Sequence, residues 1–484
     1  MTKVEIRKVL IANRGEIAVR IIKSLRTMGI RSVAIYSSAD KSSLHVLLAD
    51  EAYCIGPPDP LQSYLNIEAI VKVAKKAEVD AVHPGYGFLS QNPKFTERLE
   101  EEGIIFIGPP SKVHLFSGDK VGARAFLKEN SIPVIPGTFK PVTDVEEGIE
   151  VAEKIGYPVI LKPRFGGGGT GMFICNNREE LEENFKIASK LASSAFGCSE
   201  LYLEKYFPSA RHIEVQILAD RFGNVIHLFE RECSIQRRFQ KVLEESPSPA
   251  LDSDLRTKIC ETAVRIAKLI NYVSAGTVEF LYVPETQQFF FMELNSRIQV
   301  EHPVTEMITG VDIVKEQIKI ASDRPLSYAQ EDIRARGCAI EVRVYAEDPE
   351  SDFTPSPGLI EEYLPPKGPW IRVDDYIYPG YEIPPYYDPL IAKVIAWGET
   401  RTETINRLKI ALEEYVIKGI KTNIPFLYAI LCDEDFVSGN YCTTFLKTKK
   451  IKPINVGKIE IRERRIEIEY RTGVSPWVLS GRIY

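Results

Sequence analysis

Residues 277–303 read TVEFLYVPETQQFFFMELNSRIQVEHP, two runs of apolar and aromatic residues on either side of PETQQ. Runs of this kind around a five-residue turn segment fold as a β-hairpin. If the loop is symmetric, Val283 pairs with Phe289 and Glu279 stands directly opposite Glu293. Directly opposed like charges destabilise a sheet, their Cβ atoms being only ~5 Å apart. This register therefore demands something positive between the two carboxylates. A hard divalent cation such as Mg²⁺, held by one or two carboxylates together with substrate phosphates, meets that demand. A register one residue away would set each glutamate on a solvated face, the commoner fate of a glutamate.

The continuation of the second strand favours the opposed register. Glu293, Asn295, Arg297, Gln299 and Glu301 fall at every second position, with Leu294, Ile298 and Val300 at most of the others. An extended chain places that polar set on one face. Five polar groups beside an apolar side are costly unless they pair with one another or with ligands, so the pattern points to a site. A second candidate is LKPRFGGGGTGMF, residues 161–173. Lys162 follows the apolar YPVIL and is placed to meet a phosphate at a strand end, and Gly166–Gly169 offer backbone N–H groups to phosphate oxygens. This is no P-loop, because the lysine precedes the glycines and the GxxxxGK[ST] order is absent. A plain glycine-rich joint stays open as the alternative.

At 484 residues the chain exceeds one core of typical size, so two or three domains are expected. The first segment opens with VLIANRGEIAVRIIKSLRTMGI, a short apolar strand, a turn at Gly15 and a helix with Ile17, Ile21, Ile22 and Leu25 on one face. The alternation continues through SVAIY, a helix at 66–78, VDAVHP and IIFIGP, the pattern of an open parallel sheet with helices. ANRGE lacks the full GxGxxG spacing and reads as a structural βα turn. A second segment starts near SGDKVGARAFLKENSIPVIP and includes the strand pair LYLEKYF and HIEVQIL. A third follows the polar joint SDRPLSYAQEDIRARG, and KIEIRERRIEIEYR (458–471) alternates with period two as a small exposed hairpin.

The net charge of −6, with both signs interspersed, provides no basic stripe for nucleic acid. No apolar run reaches the ~18 residues of a membrane span, and the N-terminus shows no signal peptide. The eight cysteines form no CxxC and no close Cys/His cluster, which argues against zinc and disulfides and for a reducing, cytoplasmic setting.

The strings ANRGEIAVR, HPGYGFLS, GDK, EKYF, RHIEVQ, ERECSIQRRFQK, ELNSRIQVEHPVTEMITGVD, AIEVRVYAEDP, PPYYDPLIAK and GIKTN closely resemble the biotin carboxylase component of biotin-dependent carboxylases, over roughly residues 3–448. The resemblance implies an α/β (α+β) protein of the ATP-grasp superfamily. Its parts would be a Rossmann-like pre-ATP-grasp domain at 1–116, an ATP-grasp domain at 117–325 with a glycine-rich lid at about 135–207, and a C-terminal biotin carboxylase domain at 334–448. Residues 449–484 would be a C-terminal extension. It further implies that Lys120 and Lys162 bind the ATP phosphates, with Gly167 and Gly168 in the moving lid. Glu204, Lys205 and Phe207 match the adenine hinge, and His212 and Gln236 match nucleotide-side positions. Glu279, Glu293 and Asn295 match the Mg²⁺ or Mn²⁺ ligands. Lys241, Arg297, Gln299 and the backbone of Val300 match the bicarbonate cradle, and Glu301 the base that deprotonates bicarbonate. Arg343 matches the arginine that stabilises the biotin enolate, and Tyr86 and Gly87 lie on the biotin loop.

The implied reaction is ATP-dependent carboxylation of biotin through carboxyphosphate, the first half-reaction of an acyl-CoA or 2-oxoacid carboxylase. The five methionines include no MKM biotinylation motif, so biotin is expected on a separate carrier protein. A carboxyltransferase is the further partner expected, and a homodimer the assembly. Four positions depart from the family pattern. Phe165 replaces the first lid glycine and Thr170 a basic residue, Phe239 stands where histidine is frequent, and Gln91 where glutamate is common. They leave a divergent ATP-grasp regulatory paralogue with weak or no turnover as the alternative.

Overall fold

Three consecutive apolar residues that are each completely buried, Val9, Leu10 and Ile11, occur in a strand covered on both faces. They belong to β1 (Lys8–Ile11), the middle of a parallel sheet ordered β3-β2-β1-β4-β5 with β2 (Arg31–Ser37), β3 (Glu51–Gly56), β4 (Ala81–His83) and β5 (Ile105–Phe106). Val9 and Ile11 pack with Ile17, Ile21 and Leu25 of α1 (Gly15–Thr27), and Leu10 packs on the other face with Ile35, Val82 and Phe95. This is the open parallel sheet that the alternation predicts. The predicted helix at 66–78 runs Ile67–Lys76, its N-terminus capped by Asn66, which accepts from the Ala69 amide. A computed structural model describes residues 5–165 and 171–457 of the chain. Gly166–Gly169, Thr170 and the expected hairpin at 458–471 lie outside the described residues.

ANRGE is the structural βα turn expected. Gly15 takes the left-handed φ of +65° that starts α1, and Arg14 forms a bidentate pair with the buried Asp40 at 2.7 and 2.8 Å. Asn13 donates to the carbonyls of Pro84 (2.7 Å) and Tyr86 (2.6 Å), fixing the loop after β4 against α1.

β6 (Val159–Pro163), β7 (Phe173–Cys175) and β8 (Leu201–Lys205) form a small antiparallel sheet, ordered β7-β6-β8. The expected strand pair of LYLEKYF and HIEVQIL does not form. β8 is already engaged on both sides, by β6 and by bridges from Gly137 to Glu204 and from Val142 to Leu201. HIEVQIL instead enters a second sheet as β9 (Arg211–Ala219).

That second sheet is antiparallel throughout and has eight strands. β13 (Gln288–Asn295), β12 (Ser274–Val283), β9, β10 (Val225–Arg237), β11 (Gln240–Ser246) and β14 (Cys338–Tyr345) follow one another, and the strands Leu390–Gly398 and Ile371–Asp375 complete it. The β11–β14 pairing, with Leu243 opposite Val342, joins the second and third segments in one continuous sheet. On β9, Ile213, Val215 and Ile217 pack against Ile259, Ala263 and Ile266 of the helix Ser253–Leu269. The alternate residues His212, Glu214 and Gln216 are buried on the opposite face. Among the described residues no helix is long and apolar enough to cross a membrane.

Candidate active site

Glu279 of β12 does stand opposite Glu293 of β13, though by a different route from the symmetric loop. Val283 pairs with Gln288, not Phe289, and the register runs unbroken to Phe280 opposite Phe291. A bulge at Met292 then adds the residue that the shorter, four-residue loop omits, restoring the Glu279–Glu293 pair. The extended alternation ends sooner than expected. β13 stops at Asn295, and Glu301 already occupies the N-cap of the helix His302–Thr309. The polar set still converges, because the bend buries Ser296 and Ile298 and leaves the alternate side chains on the other side. Arg297 reaches Asn295 Oδ1 at 3.2 Å and Gln299 Oε1 at 2.7 Å, and Gln299 reaches Glu279 Oε1 at 3.1 Å.

Each of these groups lines a cavity of about 420 Å³. Lys241 of β11 sits at its charged end and donates to Glu214 (2.6 Å), Glu279 (3.0 Å) and Glu301 (2.6 Å). Glu301 accepts from Arg343 of β14 at 3.0 Å through its other oxygen. Burial alone would raise the Glu301 carboxyl, but Lys241, Arg343 and Arg231 outweigh it and hold the group ionised well below the usual carboxylate range. Lys241 loses to burial and gains more from its three carboxylates, so its ammonium is held far above its ordinary value. Lys120 pairs with Glu293 at 2.9 Å, and Lys162 with Glu204 at 2.5 Å. Buried Glu204 also meets Arg124, and these cations keep it ionised despite burial.

His212 bridges Glu279 (2.9 Å) and Gln236 (2.7 Å). Lys205 donates to the carbonyls of Gly156 and Tyr157, both at 2.9 Å, so its charge is fixed by backbone. Phe207 lies parallel to Phe290, with ring centroids 5.7 Å apart. Val300 lines the cavity, and its carbonyl accepts from the buried Lys393 at 2.8 Å. Two expected residues stand apart from the rest. Tyr86 and Gly87 do not line this cavity; the Tyr86 hydroxyl donates to Glu16, and Gly87 is exposed with φ +69°. Gly167 and Gly168 lie outside the described residues.

Sequence reasoning passed over Glu214, Arg231 and Glu244. Buried Arg231 donates to Glu214, to Gln216 (2.8 Å), to Thr277 and to Thr305 (both 3.0 Å), and Glu244 accepts from Arg343 at 2.6 Å. The signal for Glu214 was present, since His212, Glu214 and Gln216 alternate with apolar residues just as 293–301 does. The opposed carboxylates of Glu279 and Glu293 are hard oxygen donors of the kind suited to Mg²⁺ or Mn²⁺, and the Asn295 amide beside them donates to both, at 2.9 and 3.4 Å, while its oxygen accepts from Arg297. Lys120 and Lys241 neutralise these carboxylates in the structure, the positive charge that the hairpin demanded.

Three family models match successive parts of the chain. Residues 5–114 match "Biotin carboxylase, N-terminal domain", 119–329 match "Carbamoyl-phosphate synthase L chain, ATP binding domain", and 341–448 match "Biotin carboxylase C-terminal domain". Biotin carboxylase 1 of Bacillus subtilis is 54% identical over 92% of this chain and 98% of its own length. A pyruvate carboxylase subunit of Methanothermobacter thermautotrophicus is 52% identical over 91% and 89%. The solved biotin carboxylase domain dimer of Hydrogenobacter thermophilus 2-oxoglutarate carboxylase, in complex with MgADP, ADP and bicarbonate, superposes with a TM-score of 0.90. It is 50% identical, covering 92% of this chain and 98% of that one.

Proposed function

Because this chain belongs to the biotin carboxylase family, we propose that the cavity divides the ATP-dependent carboxylation of biotin among its residues as follows. Lys120 and Lys162, each paired with a carboxylate that a phosphate can replace, hold the ATP phosphates. The slot lined by Ile160, Met172, Leu281 and Phe207 takes the adenine, with Glu204, Lys205, His212 and Gln236 on its polar side. Glu279, Glu293 and Asn295 hold Mg²⁺ or Mn²⁺, which when bound offsets negative charge on the transferred phosphoryl group.

Arg297, Gln299, Lys241 and the Val300 backbone orient bicarbonate. Glu301 takes its proton, and the freed oxygen attacks the γ-phosphorus of ATP, with ADP leaving and carboxyphosphate forming. Carboxyphosphate breaks down to CO₂ and phosphate, the phosphate removes the N1′ proton of biotin, and the nitrogen attacks CO₂. Arg343 stabilises the enolate oxygen of that biotin, which approaches past Tyr86 and Gly87. Gly167 and Gly168 belong to the lid that keeps water from carboxyphosphate. The observation that carries this reading is Glu301 held ionised between Lys241 and Arg343, at the same cavity end as Arg297.

The proposed division places the pre-ATP-grasp domain at 1–116, the ATP-grasp domain at 117–325 and the C-terminal domain at 334–448. Biotin arrives on a separate carrier protein in the cytoplasm, and a carboxyltransferase subunit supplies the acceptor site. Relatives named for pyruvate and for 2-oxoglutarate match almost equally well, so acceptor choice rests with that partner. A homodimer is the expected assembly, as in the solved relative. Bicarbonate-dependent ADP release, with and without free biotin, tests the reading: biotin stimulates it. Turnover indifferent to biotin would overturn the assignment, and no ATP turnover would favour the regulatory paralogue, which these relatives do not.

A further inference from the structure

Among the described residues Arg297, like Lys205, lines the cavity without bonding a carboxylate. Lys120, Lys162, Lys241 and Arg343 each touch at least one carboxylate. Arg297 bonds only uncharged oxygens among the described residues: Gln91 Oε1 at 2.8 Å from Nε, Gln299 Oε1 at 2.7 Å and the Ile298 carbonyl at 3.1 Å from Nη1, and Asn295 Oδ1 at 3.2 Å from Nη2. Gln91 is the only one of these acceptors outside the 295–299 segment, coming from the loop after β4 in the first domain. Its amide nitrogen meets Ser296 Oγ at 3.5 Å, and Ser296 is itself held by His114 (2.8 Å) and Ser117 (2.9 Å). The amide thus spans two adjacent residues of the turn and fixes the Nε edge of the guanidinium, while the Nη groups bond only the neutral oxygens of Asn295, Ile298 and Gln299.

We propose that Gln91 is a positioning residue for the reaction, one that orients Arg297 from another domain while leaving its positive charge unneutralised for bicarbonate. Because the side chain is an amide, it contributes a hydrogen bond without competing with the anion for charge. A carboxylate at the same place, the residue common in the family, would bond Nε equally well but would partly compensate the guanidinium and face the anion with a like charge, so this chain binds bicarbonate more tightly than relatives with glutamate there. Gln91 therefore sets affinity for bicarbonate and not for nucleotide. This inference rests on the assignment of Arg297 to bicarbonate.

The test is steady-state ADP release by the full chain with bicarbonate and ATP varied separately, for the parent, Gln91→Glu, Gln91→Met and Arg297→Lys, with melting temperatures recorded. Gln91→Glu raises the KM for bicarbonate at least about tenfold, through charge. Gln91→Met raises it about three- to tenfold, through the lost hydrogen bond. Both leave the KM for ATP within about twofold. A bicarbonate KM in Gln91→Glu within twofold of the parent overturns the proposal. So does a parallel rise of both KM values in Gln91→Met, which would mark a merely structural role. If Arg297→Lys leaves the bicarbonate KM unchanged, the assignment of Arg297 itself fails, a result distinct from failure at Gln91 alone.

Discussion

Glu301 shows how one side chain acquires its chemistry from neighbours that the local sequence does not contain. It precedes His302 at a helix start, yet its charge state is set by Lys241 on β11, Arg343 on β14 and Arg231 on β10. Held far below the usual range, it stays a carboxylate at working pH, and in the proposed reaction the negative charge of bicarbonate would raise its proton affinity as the proton is taken. Glu301→Gln keeps the shape and the Arg343 contact but cannot accept a proton. Its turnover falls by roughly 10²–10⁴-fold, while ADP binding, read by titration calorimetry, stays within about threefold. Turnover close to that of the parent would remove Glu301 as the base. At this scale the residue types around the site were legible, since acids, an arginine and an amide at every second position are costly unless they pair or bind a ligand. The partners of those residues were not, because Lys241 and Arg343 lie 60 and 42 residues away.

At the level of elements, the hairpin was correctly expected and Glu279 does stand opposite Glu293, though the loop differs from the one expected. A β-bulge leaves no mark in composition or period, so only the paired strands disclose Met292 as the extra residue. β12 also depends on a close approach. A Cβ on Gly276 would lie 2.1 Å from the Tyr272 hydroxyl, which is buried and donates to the Ala275 carbonyl at 2.9 Å. Gly276→Ala forces the ring or the strand to move and destabilises the protein by about 1–3 kcal/mol. The urea midpoint falls accordingly, and an unchanged midpoint would show that β12 tolerates the extra atom.

Across the whole molecule, burial governs the response to pH. Burial pushes His45 and His114 down to about 4, His83 to about 3 and His227 to about 4. In the unfolded chain each binds a proton near pH 6.5. Between about pH 6.5 and 4 the unfolded state therefore takes up protons that the folded state refuses, and stability falls as pH falls through that window. Glu244, raised to about 7 chiefly by burial, acts in the opposite sense, adding stability that is lost as pH rises from about 4.5 to 7. A single-site comparison separates the two: from pH 7 to pH 5 the parent loses about 2 kcal/mol more than His45→Gln. Urea unfolding at both pH values measures this, and equal losses would show that His45 is not held neutral by the fold.

The amino-acid sequence by itself determined the open parallel sheet, the hairpin with its opposed glutamates, and the family, because periodicity and local strings are properties of neighbouring residues. Only the tertiary structure decided that LYLEKYF and HIEVQIL part into different sheets, that the third segment extends the second sheet through β14, and that Gln91 reaches Arg297 across 206 positions. Strand partners and long-range ion pairs depend on which edges are already filled and which charges burial brings together, and no local pattern along the chain encodes either.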